Sequence, residues 1–400
     1  MRARRTTTIR SAALLCAALT LTPPPAPAQE VGREPDPPPC AAAVPHEVEP
    51  APAPAELTRA HDLATGAGVR VAVIDTGVAP HPRLGEVIDG GDLVLPDDQG
   101  TALHDCDGHG TVVAGVLASR PGAAGQGPVG IAPDAEILSI RQSSARYREL
   151  DDSPVGTVGS LAAAIDRAVE QQAQVISISV VACVPAQTAA GLDTTTLDTA
   201  LRRAEESEVV VVAAAGNLGP GCEPGAVVYP AHSPTVLAVA AFSDPHRIAD
   251  YSVPAPAGQL LSAPGHHPVG LSPSGEGLAA GLLGSQGTVA FEGTSFAAPV
   301  VSGTVALLRE RHPDLSAAQL RELVVDSADP VTGAVDPYRA VMHLPSGSPP
   351  AHRQIEVTAR QVPEPVSAHR AQWLLVGLAA TVIVSAGAAG ITGMRKGRDS

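Results

Sequence analysis

The sequence predicts an α/β fold, a mainly parallel central sheet with helices on both faces, followed by one transmembrane helix at the C-terminus. Two observations carry the first part. Short continuous apolar runs recur along the chain, each stopped by a polar or Gly-rich turn, as strands buried on both faces are. The stretches between them carry apolar residues at helical spacing, and strands alternating with helices pair in parallel. The second part rests on an uncharged apolar stretch, 373–391, close to the C-terminus. Aromatic residues make up only 2% of the chain, which suits closely packed α/β layers better than an aromatic-rich β-sandwich.

Residues 1–28 read as a secretory signal, with a basic start (Arg2, Arg4, Arg5, Arg10), an apolar run over 12–21, and Ala26-Pro27-Ala28 at the cleavage site. Cys16 follows the bulky Leu15, which argues against a lipoprotein signal. Residues 29–56, rich in Pro and Glu, cannot supply a core of their own and form an extended arm, loose or strapped to the neighbouring domain.

The main domain covers 57–344. Its first strand, 69–74, ends in Asp75-Thr76-Gly77. His109 opens a helix bearing Val112, Val113, Val116 and Leu117, and 135–140 is the next strand. Leu161, Ala164, Ile165, Ala168 and Val169 form a helical stripe that feeds the strand 175–180. Leu197, Ala200, Leu201 and Ala204 form another, feeding 209–215, and 236–241 is a further strand. Gly293-Thr294-Ser295 runs straight into an apolar helix with Val301, Val305 and Leu308 on one face. Pro299 argues that Ser295 lies at or beside the start of that helix, because proline suits only a first turn. Ser316 and Gln319 make a capping box ahead of Leu320, Leu323 and Val324. A tether, 345–371, leads to the transmembrane helix, 372–393. Arg395, Lys396 and Arg398 then place the tail, 394–400, on the cytoplasmic side.

In a parallel sheet, ligands bind beyond the C-terminal ends of the strands. Asp75, Ser179 and Asn217 all fall at such ends, and Ser295 and His109 start helices on the same rim. A serine hydroxyl is a weak nucleophile at neutral pH; it needs a base, and the base needs an orienting group. His109 can take the Ser295 proton, Asp75 can hold the imidazole, and Asn217 offers an amide donor to an oxyanion. Singly, each residue reads equally as a turn Asp, a capping His, a loop Asn or an N-cap Ser. In the order Asp, His, Asn, Ser, each in a Gly-rich setting, they point to acyl transfer.

The strings VAVIDTGV, DGHGTVVAGVLAS, VVVVAAAGN and FEGTSFAAPVVSG resemble the motif blocks of the subtilisin-like serine proteases. The resemblance covers 57–344 and implies a subtilisin-like fold and serine endopeptidase activity on a protein or peptide substrate. It assigns Asp75, His109 and Ser295 to the charge relay and Asn217 to the oxyanion hole. Signal, Pro-rich arm, protease domain and single C-terminal anchor together resemble the mycosins, membrane-anchored proteases associated with type VII secretion. That resemblance implies type VII secretion membrane components as partners. It also implies a single-pass location in the cell membrane, with the protease domain extracytoplasmic.

Removal of Cys16 with the signal leaves Cys40, Cys106, Cys183 and Cys222, an even set with three possible connectivities. Cys183 follows the strand ending near Ser179, and Cys222 follows the Asn217 loop. Consecutive strands as neighbours favour Cys183–Cys222 and leave Cys40–Cys106, and mycosins are similar in having two such bridges. No close Cys/His ligand spacing and no acidic loop suggests a metal, so neither metal nor cofactor is expected. His266-His267, in a Pro/Gly-rich loop, reads as solvated, and the long segments 141–159 and 262–290 read as loops overhanging the cleft. The formal charge of −15 argues against nucleic acid. Val180-Val181-Ala182-Cys183 stands where the family has a glycine-rich edge for substrate, which implies a narrowed cleft. Narrow specificity, or a mainly structural role in a membrane secretion complex, fits better than broad degradation.

Overall fold

The computed structural model describes residues 39–47, 53–95, 100–122, 127–148, 154–254, 261–284, 287–345 and 366–395. The expected signal, most of the tether and most of the tail lie outside them. The chain forms two compact units, 1–346 and 347–400.

In the first unit the arm contributes β1 (Ala43–His46), and α1 (Ala55–His61) leads into the domain. β2 (Arg70–Asp75), β3 (Val87–Asp92), α2 (His109–Ala118) and β4 (Glu136–Arg141) come next. A hairpin of β5 (Ser144–Arg148) and β6 (Pro154–Val155) precedes α3 (Val158–Glu170), whose Thr157 and Ser160 close a capping box. Then come β7 (Val175–Ile178), β8 (Ala182–Val184), α4 (Ala186–Ala189), α5 (Thr195–Glu206), β9 (Val210–Ala214), β10 (Val227–Tyr229) and β11 (Val236–Asp244). Beyond them lie the shorter strands β12 (Arg247–Ile248), β13 (Leu261–Pro264), β14 (His266–His267), β15 (Gly270–Leu271), β16 (Leu278–Gly284) and β17 (Gly287–Val289). β18 (Phe291–Glu292) leads into α6 (Thr294–Arg311), α7 (Ala317–Ser327) and α8 (Pro337–Met342).

The main sheet has the order β12-β11-β9-β7-β2-β4-β3, with β13 also beside β11. Its pairs are parallel except β11 with β12. Alternate residues of β2 face opposite sides, so Val71 and Val73 meet α2 and α6 while Ala72 and Ile74 meet α3 and α5. Each buried Val, Leu or Ile here contributes about 1.5–3 kcal/mol relative to exposure. From β2 the chain first builds β4 and β3 on one side, then β7, β9 and β11 on the other. The strand order therefore reverses beside β2, and the crevice beyond its C-terminal end opens between Asp75 and the residues after β7.

Three expectations about this unit change. The segment 262–290 is not an overhanging loop. β13 extends the main sheet, and β16 receives the arm, pairing antiparallel with β1 so that Ala43 lies opposite Leu282. Within 141–159, β5 pairs antiparallel with β6. Pro299 is the sixth residue of α6 rather than a first-turn residue. It is tolerated there because the bond it cannot make would run only to the carbonyl of Ser295, in the opening turn. At the far end of α6, the Glu310 carboxylate accepts the backbone N–H groups of Thr65, Gly66 and Ala67 at 2.7, 2.6 and 3.2 Å, just ahead of β2.

In the second unit α9 runs Val366–Arg395. No helix among the described residues is long and apolar enough to cross a membrane. The side chains described in α9 cover only 370–386, short of the roughly 20 residues that a bilayer core requires. The expected span over 372–393 is therefore not established by α9. Trp373, Leu374, Leu375, Val376 and Ile383 are nonetheless exposed.

Candidate active site

β2 delivers Asp75, wholly buried, to the rim of the sheet. Its Oδ1 accepts the Thr76 N–H at 2.7 Å and the His109 Nδ1–H at 2.7 Å. A carboxylate only accepts, so the proton of this pair sits on Nδ1 and His109 Nε2 is left as the acceptor facing the crevice. Asp75 Oδ2 has no hydrogen-bond partner among the described residues. His109 is the first residue of α2, set there by Gly108, whose φ of 77° is left-handed backbone that glycine adopts without a Cβ penalty.

Burial pulls the His109 pKa down. The charge of Asp75 and its hydrogen bond, then the charges of Asp105 and Asp107, outweigh it, and the pKa is raised above the ordinary value. A quarter of the His109 side chain is open to solvent, so the pair is reachable from the crevice.

Ser295 is the second residue of α6. Its hydroxyl donates to the Ser179 carbonyl at 2.9 Å, so it must leave that acceptor before it can donate to an imidazole. Of the first backbone N–H groups of α6, that of Thr294 goes to Asn217 Oδ1 at 2.9 Å and that of Phe296 to the Gly293 carbonyl at 3.1 Å. The Ser295 N–H meets no acceptor among the described residues. Asn217 lies just past β9, and its Oδ1 takes two bonds from Thr294, from the backbone N–H and from Oγ1 at 3.0 Å. Those bonds fix the orientation of the amide and leave Nδ2 as a donor. A Cβ on Gly293 would come within 3.0 Å of that Nδ2, so glycine keeps the space beside it open. An acyl oxygen placed there would meet Asn217 Nδ2 together with the positive end of α6.

The remaining sequence-predicted groups fall around this crevice. Cys40 is bonded to Cys106 and Cys183 to Cys222. The first bridge, with the Ala41 N–H donating to the Cys106 carbonyl at 2.8 Å, straps the arm to the turn ahead of His109. The second ties β8 to the Asn217 loop, where Gly219 and Cys222 bond each other's backbones. Cys40, Cys106 and His104 cluster as metal ligands would, but both sulfurs are committed to the bridge, with His104 Nε2 3.4 Å from Cys40 Sγ. Of the two histidines expected in solvent, only His266 is exposed. His267 instead packs its ring 6.4 Å from Phe296, with Nε2 buried and unpartnered, because β14 pairs with β18 immediately ahead of α6. Burial lowers its pKa. β8 is paired with β10, so the edge that replaces the glycine-rich one is already engaged on one side.

Sequence reasoning missed Asp105. This buried carboxylate accepts from Thr76 Oγ1, the Gly108 N–H, and both the N–H and Oγ1 of Thr111, at 2.7–2.8 Å. Burial raises its pKa despite these donors. The available signal was an aspartate ahead of a helix whose cap is glycine.

The profile of the Subtilase family matches residues 66–355. Mycosin-4 of Mycobacterium tuberculosis (strain ATCC 25618 / H37Rv) is 41% identical over 342 residues, spanning 78% of this chain and 74% of that protein. Mycosin-1 of the same strain is 38% identical over 77% of this chain and 75% of its own length. Among solved structures, MycP1 from the ESX-1 type VII secretion system superposes with a TM-score of 0.70 at 32% identity, covering 78% of this chain and 91% of that one. A chain of an intact ESX-5 inner membrane complex does so with a TM-score of 0.69 at 30% identity, covering 88% of this chain and 94% of that one. The chain therefore belongs to the subtilase family, and within it to the mycosins, as a subtilisin-like serine protease.

Proposed function

We propose that this chain is an extracytoplasmic serine endopeptidase of narrow specificity, anchored in the membrane by α9 and acting within a type VII secretion assembly. The observation that carries the chemistry is the 2.7 Å bond from His109 Nδ1 to the buried Asp75. Ser295 Oγ, once it leaves the Ser179 carbonyl, attacks the substrate carbonyl while His109 Nε2 takes its proton. Asp75 holds the tautomer and stabilises the imidazolium that forms. The negative oxygen of the tetrahedral intermediate is received by Asn217 Nδ2 and the Ser295 N–H. His109 then returns the proton to the leaving amine, and water repeats the sequence on the acyl-enzyme. Engagement of β8 by β10, with Val180 and Val181 on the approach, supports narrow specificity.

A second role, as a structural part of the assembly, is favoured by likeness to chains in the ESX-5 inner membrane complex and in its periplasmic assembly. The exposed apolar side chains of α9 and the basic Arg395, Lys396 and Arg398 support anchoring with a cytoplasmic C-terminus. The test is labelling of the full chain, in detergent-solubilised membranes, by a fluorophosphonate. Wild type should take the label and Ser295→Ala should not. Absence of label on intact, bridged wild type would leave the structural role alone standing, and equal labelling of Ser295→Ala would move the nucleophile elsewhere.

A further inference from the structure

α2 presents His109 from its first position, yet its N-cap is a glycine with no side chain to offer, and no side-chain cap bond is made there. The opening N–H groups of a helix need acceptors. They are supplied from outside the helix. The Gly110 N–H donates to Thr76 Oγ1 at 3.0 Å, and the Thr111 N–H to Asp105 Oδ2 at 2.8 Å. Asp105 Oδ1 meanwhile takes the Gly108 N–H at 2.8 Å, fixing the glycine that turns the chain into the helix. The Gly108 and Thr111 N–H groups can only donate, one to each oxygen of Asp105, and with both threonine hydroxyls donating as well the carboxylate satisfies all four.

Thr76 joins this cap to the proposed triad. Its hydroxyl has one proton and two carboxylate oxygens in reach, Asp105 Oδ1 at 2.8 Å and Asp75 Oδ1 at 3.2 Å. With the proton on the nearer oxygen, Asp75 Oδ1 keeps its strength as an acceptor for His109. We infer that Asp105, with Thr76 as its bridge, is a positioning residue that sets the placement and basicity of His109. This rests on His109 being the general base. The acidic groups whose charge reaches His109 are Asp75, Asp105 and Asp107; the last is engaged by Ser144 Oγ and the Ala145 N–H. From α6 the ring facing His109 is that of Phe296, 5.2 Å away and uncharged.

The experiment uses the full chain and the rate of fluorophosphonate labelling against pH, together with the downfield Nδ1 proton resonance of the Asp75–His109 bond. Asp105→Asn puts an amide donor among four donors and is expected to slow labelling by about 10²-fold, the scale of a misplaced catalytic group. Loss of its negative charge should move the acid limb of the labelling profile to lower pH. Thr76→Val should act in the same direction by about tenfold, and Thr76→Ser, which keeps the hydroxyl, should label within about threefold of wild type. A folded Asp105→Asn chain with an unchanged acid limb and labelling within threefold overturns the inference. If Asp105→Asn does not fold, Thr76→Val decides: labelling within threefold overturns the inference, and tenfold slowing supports it. If wild type itself takes no label, Ser295 has failed as nucleophile, but the Nδ1 resonance still reads His109. Its titration in Asp105→Asn then either shifts to lower pH, which keeps the positioning role, or stays in place, which removes it.

Discussion

On the β2–α2 wall of the crevice, Asp75 and His109 are held by charge. The charges of Asp75, Asp105 and Asp107 all reach the imidazole, and Asp75 and Asp105 are buried. The bonds that orient the ring and its helix end on a carboxylate or on Thr76 between two carboxylates. On the β9–α6 wall, Ser295 and Asn217 are held by shape and neutral hydrogen bonds. Asn217 is fixed by Thr294, α6 meets β7 where Ser302 Oγ bonds Ser177 Oγ at 2.9 Å, and Gly303 packs against Ile131 ahead of β4. A Cβ on Gly303 would fall 2.6 Å from the Cβ of Ile131. The contrast teaches that one site can be tuned by two independent means, protonation on one wall and side-chain volume on the other.

The sharpest way to break the comparison is at Asn217, the proposed oxyanion donor of the neutral wall. Asn217→Ala should reduce kcat by about 10²–10³-fold with KM little changed, since the amide serves an oxygen that is negative only in the transition state. Steady-state kinetics on a peptide substrate checks this, and a change confined to KM would put Asn217 in ground-state binding instead. Next in size is volume. Gly303→Ala gains about 1 kcal/mol of helix propensity, but the overlap with Ile131 costs about 1–3 kcal/mol, for a net loss of up to about 2 kcal/mol and a Tm lower by a few degrees. Thermal unfolding decides, and a raised Tm would mean that the wall is not packed by shape.

The smallest effect separates the walls by pH. Labelling should fall as pH drops through a His109 pKa raised above 6.5. The linked stability runs the other way. A raised folded-state pKa gives stabilisation that is fully present below the unfolded value and is lost as pH rises through the folded one. Acidification should therefore slow the enzyme while strengthening the Asp75–His109 contact. A labelling profile flat from about pH 5 to 8 would remove the charged wall from the comparison.

Five strands of the main sheet (β2, β4, β7, β9 and β11), the helices α2, α3, α5, α6 and α7, and the placement of Asp75, His109, Asn217 and Ser295 at strand ends and helix starts were legible because each is encoded locally, by a run of apolar residues or by a Gly-rich turn; β3, whose apolar run is only Val87-Ile88 before Gly90-Gly91, was not. What was not legible is encoded by partners distant in sequence. β16 looks like loop until β1 of the arm is beside it, and His267 looks solvated until β18 and Phe296 close over it. Asp105 reads as one more acid in an acidic turn; its proposed role depends on Thr76, just past β2 and distant in sequence. Pro299 led to the correct helix start beside Ser295 by a rule that does not hold here: it lies in the second turn, where its missing N–H costs only a bond to a carbonyl of the opening turn.

Glu310 makes the site a problem in surveying. Ser295 and Glu310 stand about 22 Å apart along a single rigid helix, at about 1.5 Å per residue. β2 runs its own course from the Glu310 anchorage at Thr65, Gly66 and Ala67 to Asp75. Ser295 and Asp75 are thus two sightings taken from a common benchmark at Glu310. Glu310 gives the helix that carries Ser295 and the segment that leads into the Asp75 strand a shared point of reference, although its carboxylate is bonded to neither residue.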